Sequence, residues 1–312
     1  MRQSTQVGFG LLAILAAGMT LCAMWPPAMA SSDSEHEDQG QSQSQIPLTA
    51  QEIRNLVDRA IENQHRNDVQ LDQYARTEHE FLQGTGKEPN RETVRRLIPA
   101  GTLVLRVELE HNGKMTDAPY LDQQWRTVAQ ALRASARGEE IRGAGLYEGE
   151  RHKHQRAEMV GEIGKAYVFT WAGRVTINGH TVVKLTFEPD PAYRSSERFA
   201  PVFRHSKGTA WVDESSAQMI KAEAELTDDV SWGGGLIAKL YRGGRFRYEQ
   251  HEVSAGVWMP TYYSYDFDGR KFVFSLSAHD RSEYSEYLHV GSPDEALLLV
   301  RREHPRIFAN AN

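Results

Sequence analysis

From residue 165 to residue 290, apolar and polar residues alternate with a period of two, in runs separated by turn signals. The pattern predicts strands over 166–177, 181–188, 209–213, 219–226, 236–253, 257–267 and 271–278, joined as one antiparallel meander. Asn178-Gly179 and Asp268-Gly269 tolerate the positive φ angles of a two-residue hairpin loop, so each sets a register. A loop at Asp268-Gly269 puts Tyr265 opposite Phe272, Tyr263 opposite Phe274 and Thr261 opposite Leu276. A second loop at Ala255-Gly256 puts Phe246 opposite Tyr265 and Tyr248 opposite Tyr263. Around Asn178-Gly179 the register conflicts with the pattern, because Val183, Leu185 and Phe187 face Arg174, Ala172 and Thr170. A β-bulge at Ala172-Gly173 restores their match to the aromatic side of that strand.

The outcome is a sheet with one aromatic face, which needs a cover. A helix over 49–63 can supply it: Thr49 and Glu52 form a capping box, Leu48 and Ile53 a staple, and Ile53, Leu56, Val57, Ala60 and Ile61 share one side. A first strand over 69–82 and a second over 103–110 follow, the latter turning at His111-Asn112-Gly113-Lys114. Residues 116–163 read as a helical insertion. Leu121, Trp125, Val128, Ala129 and Leu132 share a face there, Pro119 opens the helix, and a charged helix covers 150–163. This block can act as a lid over one end of the sheet or lie on the surface. Ser292-Pro293 opens a last helix over 295–302, and the chain after Pro305 is expected to fray. The fold class expected is mainly β with α (α+β): a strongly curved antiparallel sheet forming an unclosed half-barrel, its concave face partly covered by helices.

Ahead of the first helix the pattern changes character. Residues 1–30 have a positive start at Arg2, an apolar run over 7–24 and a small-x-small site at Ala28-Met29-Ala30, which read as a signal peptide cleaved after Ala30. The competing readings are an uncleaved anchor and lipidation at Cys22, although Leu21 stands where a lipobox has a small residue. Residues 31–47 form an acidic, Gln/Ser-rich disordered tether in which His36 is a solvated side chain. A single domain over 48–290 and a helix with tail over 291–312 complete the organisation, and an exported, periplasmic location follows. Removing the leader removes the only cysteine and shifts the net charge of −6 to about −7 through loss of Arg2. No basic stripe points to nucleic acid.

Searching for chemistry yields little. The sequence holds no Gly-x-Ser-x-Gly elbow, no phosphate-binding loop and no His-Glu-x-x-His pair. Gly233-Gly234-Gly235 lacks the lysine and hydroxyl of a phosphate loop and reads as a connection between strands. Asp266-x-Asp268-Gly269 begins like a calcium loop, but Ser277 stands where the bidentate acid belongs. His152 and His154 sit among Arg151, Lys153 and Arg156, which repel a metal ion. Asp213-Glu214 and Asp228-Asp229 fall at strand ends, where turns are expected. The reading is therefore no enzyme, no metal and no cofactor.

The runs Val175-Thr-Ile-Asn-Gly-His-Thr-Val-Val-Lys-Leu-Thr-Phe-Glu-Pro189, Thr209-Ala-Trp-Val-Asp213, Ser231-Trp-Gly-Gly-Gly-Leu236, Gly256-Val-Trp-Met-Pro260 and Ser282-Glu-Tyr-Ser-Glu-Tyr287 resemble the periplasmic lipoprotein-carrier superfamily. That superfamily holds the outer-membrane lipoprotein-sorting factors and related sensor domains that bind stress-response anti-sigma factors. The resemblance is to its exported bacterial branch and covers about half of the chain well. It implies a half-barrel whose concave side accepts acyl chains of a lipid or lipoprotein, with transient membrane-surface contact. Phe169, Trp171, Val183, Leu185, Phe187, Phe246, Tyr248, Tyr263, Tyr265, Phe272, Phe274 and Leu276 would line it, each also able to serve as plain core. Two other functions stay open: an envelope sensor that binds a protein through the sheet or its edge, and a hydrolase without a visible constellation.

Overall fold

The structure, a computed structural model, describes residues 46–84, 89–101, 103–139, 141, 146–147, 150–272 and 274–309, with backbone alone at 146–147, 150–155 and 274. In chain order the elements are α1 (Ala50–Leu71), β1 (Tyr74–Leu82), β2 (Arg91–Ala100), β3 (Leu103–His111), β4 (Lys114–Met115), α2 (Ala118–Ala136), β5 (Leu146–Tyr147) and α3 (Glu150–Ala166). The meander follows as β6 (Tyr167–Ile177), β7 (His180–Pro189), a short α4 (Ala200–Phe203), β8 (Ser206–Asp213) and β9 (Met219–Leu226). Then come β10 (Val230–Trp232), β11 (Ala238–Leu240), β12 (Arg245–Ser254), β13 (Val257–Lys271), β14 (Phe274–His289) and α5 (Pro293–Glu303).

All the strands join one open antiparallel sheet with the order β4-β3-β2-β1-β14-β13-β12-β9-β8-β7-β6. The pairing that decides the architecture is β1 against β14, which hangs the N-terminal strands on the far side of the C-terminal hairpin. Following the registers across the sheet gives two unbroken rows on one face. One runs Trp171, Leu185, Ala210, Ala222, Tyr248, Tyr263, Ser282, Glu80, Thr93. The other runs Phe169, Phe187, Gly208, Ala224, Phe246, Tyr265, Asp280, Leu82, Arg91. Both rows change from apolar to polar at the same place, between β13 and β14.

The hairpin at Asn178-Gly179 forms in the expected register, and the β-bulge falls between Trp171 and Gly173, where Gly173 takes φ +133°. Phe246 faces Tyr265 and Tyr248 faces Tyr263, as expected. The loop expected at Asp268-Gly269 is not there. Both residues lie inside β13, which runs on to Lys271, and the hairpin turns after it, so that Tyr265 faces Asp280 and Gly269 faces Leu276. Glycine is required at 269 for close approach: a Cβ there would lie 2.2 Å from the Lys239 carbonyl oxygen of β11. The expected strand over 236–253 is likewise broken, into β11 and β12.

Upstream, α1 is longer than its apolar stripe. The capping box at Thr49 and Glu52 is present, and Ile53, Leu56 and Val57 are buried against Val183, Leu185 and Val212. Burying three such side chains contributes roughly 5–8 kcal/mol as an upper value. Beyond the expected end at 63, the buried side of α1 continues as amides, Asn63, Gln64 and Asn67. Asn63 donates to the Ser216 and Ala217 carbonyls at 2.8 Å, and Asn67 donates to Gln218 at 2.8 Å. The first strand accordingly starts at Tyr74 rather than 69. The strand expected second is the third, because β2 carried no apolar alternation to mark it.

The other helices take different positions. α2 buries Trp125, Val128, Ala129 and Leu132, and together with Ala296, Leu299 and Val300 of α5 they pack on Ile98, Leu105 and Val107. Those β2 and β3 positions alternate with Arg95, Leu97 and Arg106, so α2 and α5 cover the face opposite to the one α1 lies on. α3 places Met159 and Ile163 on the cluster of Tyr167, Phe187 and Phe203. The helical insertion therefore divides between the two faces instead of forming one lid. The capping box at Ser292 and Glu295 opens α5, and beyond Pro305 the chain stays packed, with Ile307 buried.

Gly269→Ala should lower stability by about 2–4 kcal/mol, because neither β11 nor β13 can retreat from the added methyl. Chemical denaturation measures this. An unchanged midpoint would mean that Gly269 sits in a turn after all.

Candidate functional site

The α1-covered face holds the candidate site, and its first half is aromatic. Phe246 and Tyr265 pack at a tilt across β12 and β13 with centroids 5.4 Å apart, and Tyr248 and Tyr263 likewise with centroids 4.9 Å apart. Tyr263 then meets Tyr284 of β14 edge-on at 5.9 Å. Below Tyr265, the side chains of Leu226, Val230, Leu240, Phe267 and Leu276 form a compact apolar floor. Tyr248 is fixed by amides: its hydroxyl donates to Gln250 at 2.8 Å and accepts from Gln64 of α1 at 3.3 Å. Burial pushes its hydroxyl pKa far up, so it stays a neutral hydrogen-bonding group.

The second half is ionic and equally buried. Arg95 of β2 bridges two carboxylates of β1, reaching Glu78 at 2.9 Å and Glu80 at 2.8 Å. Glu78 and Glu80 are only 3% and 4% exposed. Tyr284 donates to the second Glu78 oxygen at 3.1 Å, and Arg106 stands 3.9 Å away. Burial raises the Glu78 pKa, but Arg106, Arg95 and Arg76 outweigh it and hold the carboxyl below its usual range. Asp280 goes the other way. Burial, with Glu80 and Glu78 adding to it, pushes Asp280 up to about 7 against the pull of Arg95 and Arg91. Its Oδ1 and the Thr93 hydroxyl, both buried, lack hydrogen-bond partners among the described residues. A buried ionic group with open valences costs free energy unless something polar completes it.

The twelve expected lining residues separate in three ways. Val183 and Leu185 are fully buried beneath α1, Phe169 and Trp171 pack around the same cover, and Phe187 lies in the neighbouring cluster under Met159 and Ile163 of α3. Phe246, Tyr248, Tyr263, Tyr265 and Leu276 form the aromatic half described above. Phe272 sits at the tip of the β13–β14 hairpin, 53% exposed and away from this face, and the Phe274 side chain lies outside the described residues. Sequence reading missed Glu78, Glu80, Thr93, Arg95 and Asp280. The signal was present as alternation of Arg76, Glu78 and Glu80 with Ala75, Thr77 and His79, but nothing local says that charges face inward.

Elsewhere the acids have local duties. Asp213 accepts from Ser215, Ser216 and His180, Glu214 pairs with Arg174, and Asp229 pairs with Lys239. Among the described residues no three His, Cys, Asp or Glu side chains are placed to hold a metal ion; the His36, His152 and His154 side chains lie outside them. An open depression of about 580 Å³ at the start of α1 is lined by Pro47, Leu48, Glu52, Arg174 and Glu214, and touches none of the twelve.

No family model matches the chain, and neither does any curated protein. Solved structures similar to it include the following three. A putative outer membrane lipoprotein-sorting protein domain from Vibrio parahaemolyticus aligns at 10% identity and TM-score 0.31, over 79% of this chain and 100% of its own. A LolA superfamily protein from Nitrosomonas europaea aligns at 14% identity and TM-score 0.30, over 80% and 97%. A DUF1329 family protein from Desulfovibrio piger aligns at 13% and 0.29, over 76% and 92%. At TM-scores near 0.3 these overlays are loose, and no ligand or activity passes from them to this chain.

Asp280 yields a pH prediction. Its folded pKa lies above its unfolded value, so the folded state holds an extra proton between the two, and stability falls as pH rises toward 7. Asp280→Asn should therefore raise the unfolding free energy by roughly 1–3 kcal/mol at pH 8, with the gain vanishing near pH 4. Thermal melts across that range test it, and a gain independent of pH would contradict the assignment.

Proposed function

We propose that this protein is an exported binding or carrier protein for an amphiphile, either a lipid or the acyl chains of a lipoprotein. The observation that supports this is the change of character along one face of the sheet, aromatic through Phe246, Tyr265 and Tyr263 and ionic from Asp280 onward. An amphiphile has the same two parts. Its chains would lie along Phe246 and Tyr265, both partly exposed, while its polar end would meet Asp280, Thr93 and Arg95. Each methylene moved from water onto the aromatic strip contributes about 0.8 kcal/mol, so a chain of ten carbons binds usefully before any polar contact is added. The unpartnered Asp280 oxygen and Thr93 hydroxyl are the groups that a headgroup hydroxyl or amine would complete.

The leader at 1–30 fits delivery across a membrane, and no helix among the described residues is long and apolar enough to span one. Binding needs no covalent step, and among the described residues the Oδ1 of Asp280, the acid held near neutrality, has no hydrogen-bond partner.

Organic extraction of the purified protein followed by mass spectrometry should return a co-purifying lipid, and the emptied protein should take up a fluorescent fatty acid. Replacing Phe246 and Tyr265 together by Ala should weaken uptake by about tenfold or more, the loss of two aromatic surfaces. Trp211→Ala, on the opposite face with Val182 and Ile220, should leave it unchanged. Protein that is empty on isolation and takes up no fatty acid would rule the proposal out.

A further inference from the structure

The two protrusions at one end of the sheet form a single apolar point. The glycine turn at Gly233–Gly235 projects Leu236 and Ile237, which are 78% and 51% exposed. Phe272, 53% exposed, projects from the β13–β14 hairpin. A backbone hydrogen bond from Phe272 N to the Ile237 oxygen, at 3.0 Å, ties the two together. β11 pairs with β13 directly behind them, Ala238 facing Lys271, so the point is carried on a strand ladder. Phe272 holds φ +54°, a region that costs an aromatic residue about 1 kcal/mol or more and that Asn or Gly would occupy without strain. Placing a large apolar side chain there, in water, is costly twice over.

Cations stand closest to the point. The segments that build it, 230–241 and 269–276, carry Lys239, Arg270 and Lys271 and no acid, in a chain whose net charge is −6, while Arg242 and Arg245 lie farther back at the level of Asp228, Asp229 and Asp266. Lys239 is held to Asp229 at 2.6 Å and lies over the half-exposed Tyr241 ring, and Arg270 reaches the Phe272 carbonyl at 3.5 Å. Asp268, the nearest acid on β13, is turned to Ser277 and His279.

We infer that this point docks the protein on an anionic lipid bilayer, Leu236, Ile237 and Phe272 entering the interface and the flanking cations resting on the headgroups. A narrow convex point offers little area to a flat protein surface, whereas an interface yields to it from every side. An anionic leaflet attracts each nearby lysine or arginine, and insertion of the three apolar side chains adds the hydrophobic part. The inference rests on these residues alone and is independent of the ligand reading. The apolar floor of Leu240, Phe267 and Leu276 does, however, run from the point to Tyr265, so a docked molecule would present its aromatic strip at the membrane.

Sedimentation with vesicles tests this. The whole protein should bind vesicles of phosphatidylglycerol and phosphatidylcholine, bind phosphatidylcholine alone far less, and be released as salt rises. Arg270→Glu with Lys271→Glu should weaken the anionic binding by at least about tenfold, since each cation near such a surface strengthens it roughly fivefold. Leu236→Asp with Phe272→Asp should abolish it while leaving the melting temperature and fatty-acid uptake at wild-type values, which separates this result from failure of the carrier function. Absence of an anionic preference in the wild-type protein, or binding unaffected by both variants, overturns the inference. So does a photo-crosslinker at position 272 that captures a protein when vesicles are not bound, which would assign the point to a protein partner.

Discussion

Pairing of β1 with β14 is the contact on which the arrangement rests. Residues about two hundred positions apart in the chain, such as Glu78 and Tyr284, meet through it. The entropy of closing so long a loop grows only slowly with its length, and the ladder that follows offsets it with eight aligned residue pairs. Without that ladder the meander would end at β14 as an exposed edge. Glu78, Glu80 and Arg95 would also be a solvated hairpin rather than the inner wall of a folded sheet.

Because of that pairing, one face carries two chemistries side by side. α1 covers the end of that face nearest β7, and its contact is itself graded: aliphatic over β7 and β8, amide over the β8–β9 turn and Tyr248 of β12. The ionic half is braced by one guanidinium shared between two carboxylates, an arrangement that gains little net stability because desolvation consumes most of the attraction. It is buried next to an acid held near neutrality and a hydroxyl that has no partner among the described residues. The two halves meet at Tyr263 and Tyr284, whose rings touch edge to face.

Much of the fold could be read from the chain. The β-bulge at Gly173 followed from a parity conflict between two strands, and the ladder Phe246 to Tyr265 followed from one turn dipeptide. Asp268-Gly269 misled for a physical reason: a glycine that removes a steric conflict with a crossing strand has the same letter as one that turns the chain. α1 was truncated because the apolar stripe ends at Ile61, although amides continue the buried side. β2 went unseen because its inner positions begin with Arg91, Thr93 and Arg95, the last two facing Glu80 and Glu78, so the usual apolar alternation is absent. That Phe246, Tyr248, Tyr263, Tyr265 and Leu276 share a face could be read from the alternation, whereas Phe272, misplaced with the turn, could not. The ionic half was not legible, since local pattern cannot tell a charge turned to water from one turned to a partner some two hundred residues away.

The most direct test is a disulfide scan across β1 and β14 on a Cys22→Ser background, which removes the only natural thiol. His79 and Glu283 face each other in the register, on the outer side where substitution leaves the inner face intact. His79→Cys with Glu283→Cys should crosslink nearly completely within one chain, and Glu80→Cys with Glu283→Cys, one step out of register and on the opposite side, should not. Failure of the first pair, or equal crosslinking of both, would mean that the ionic and aromatic halves do not share a face, and the account would fall.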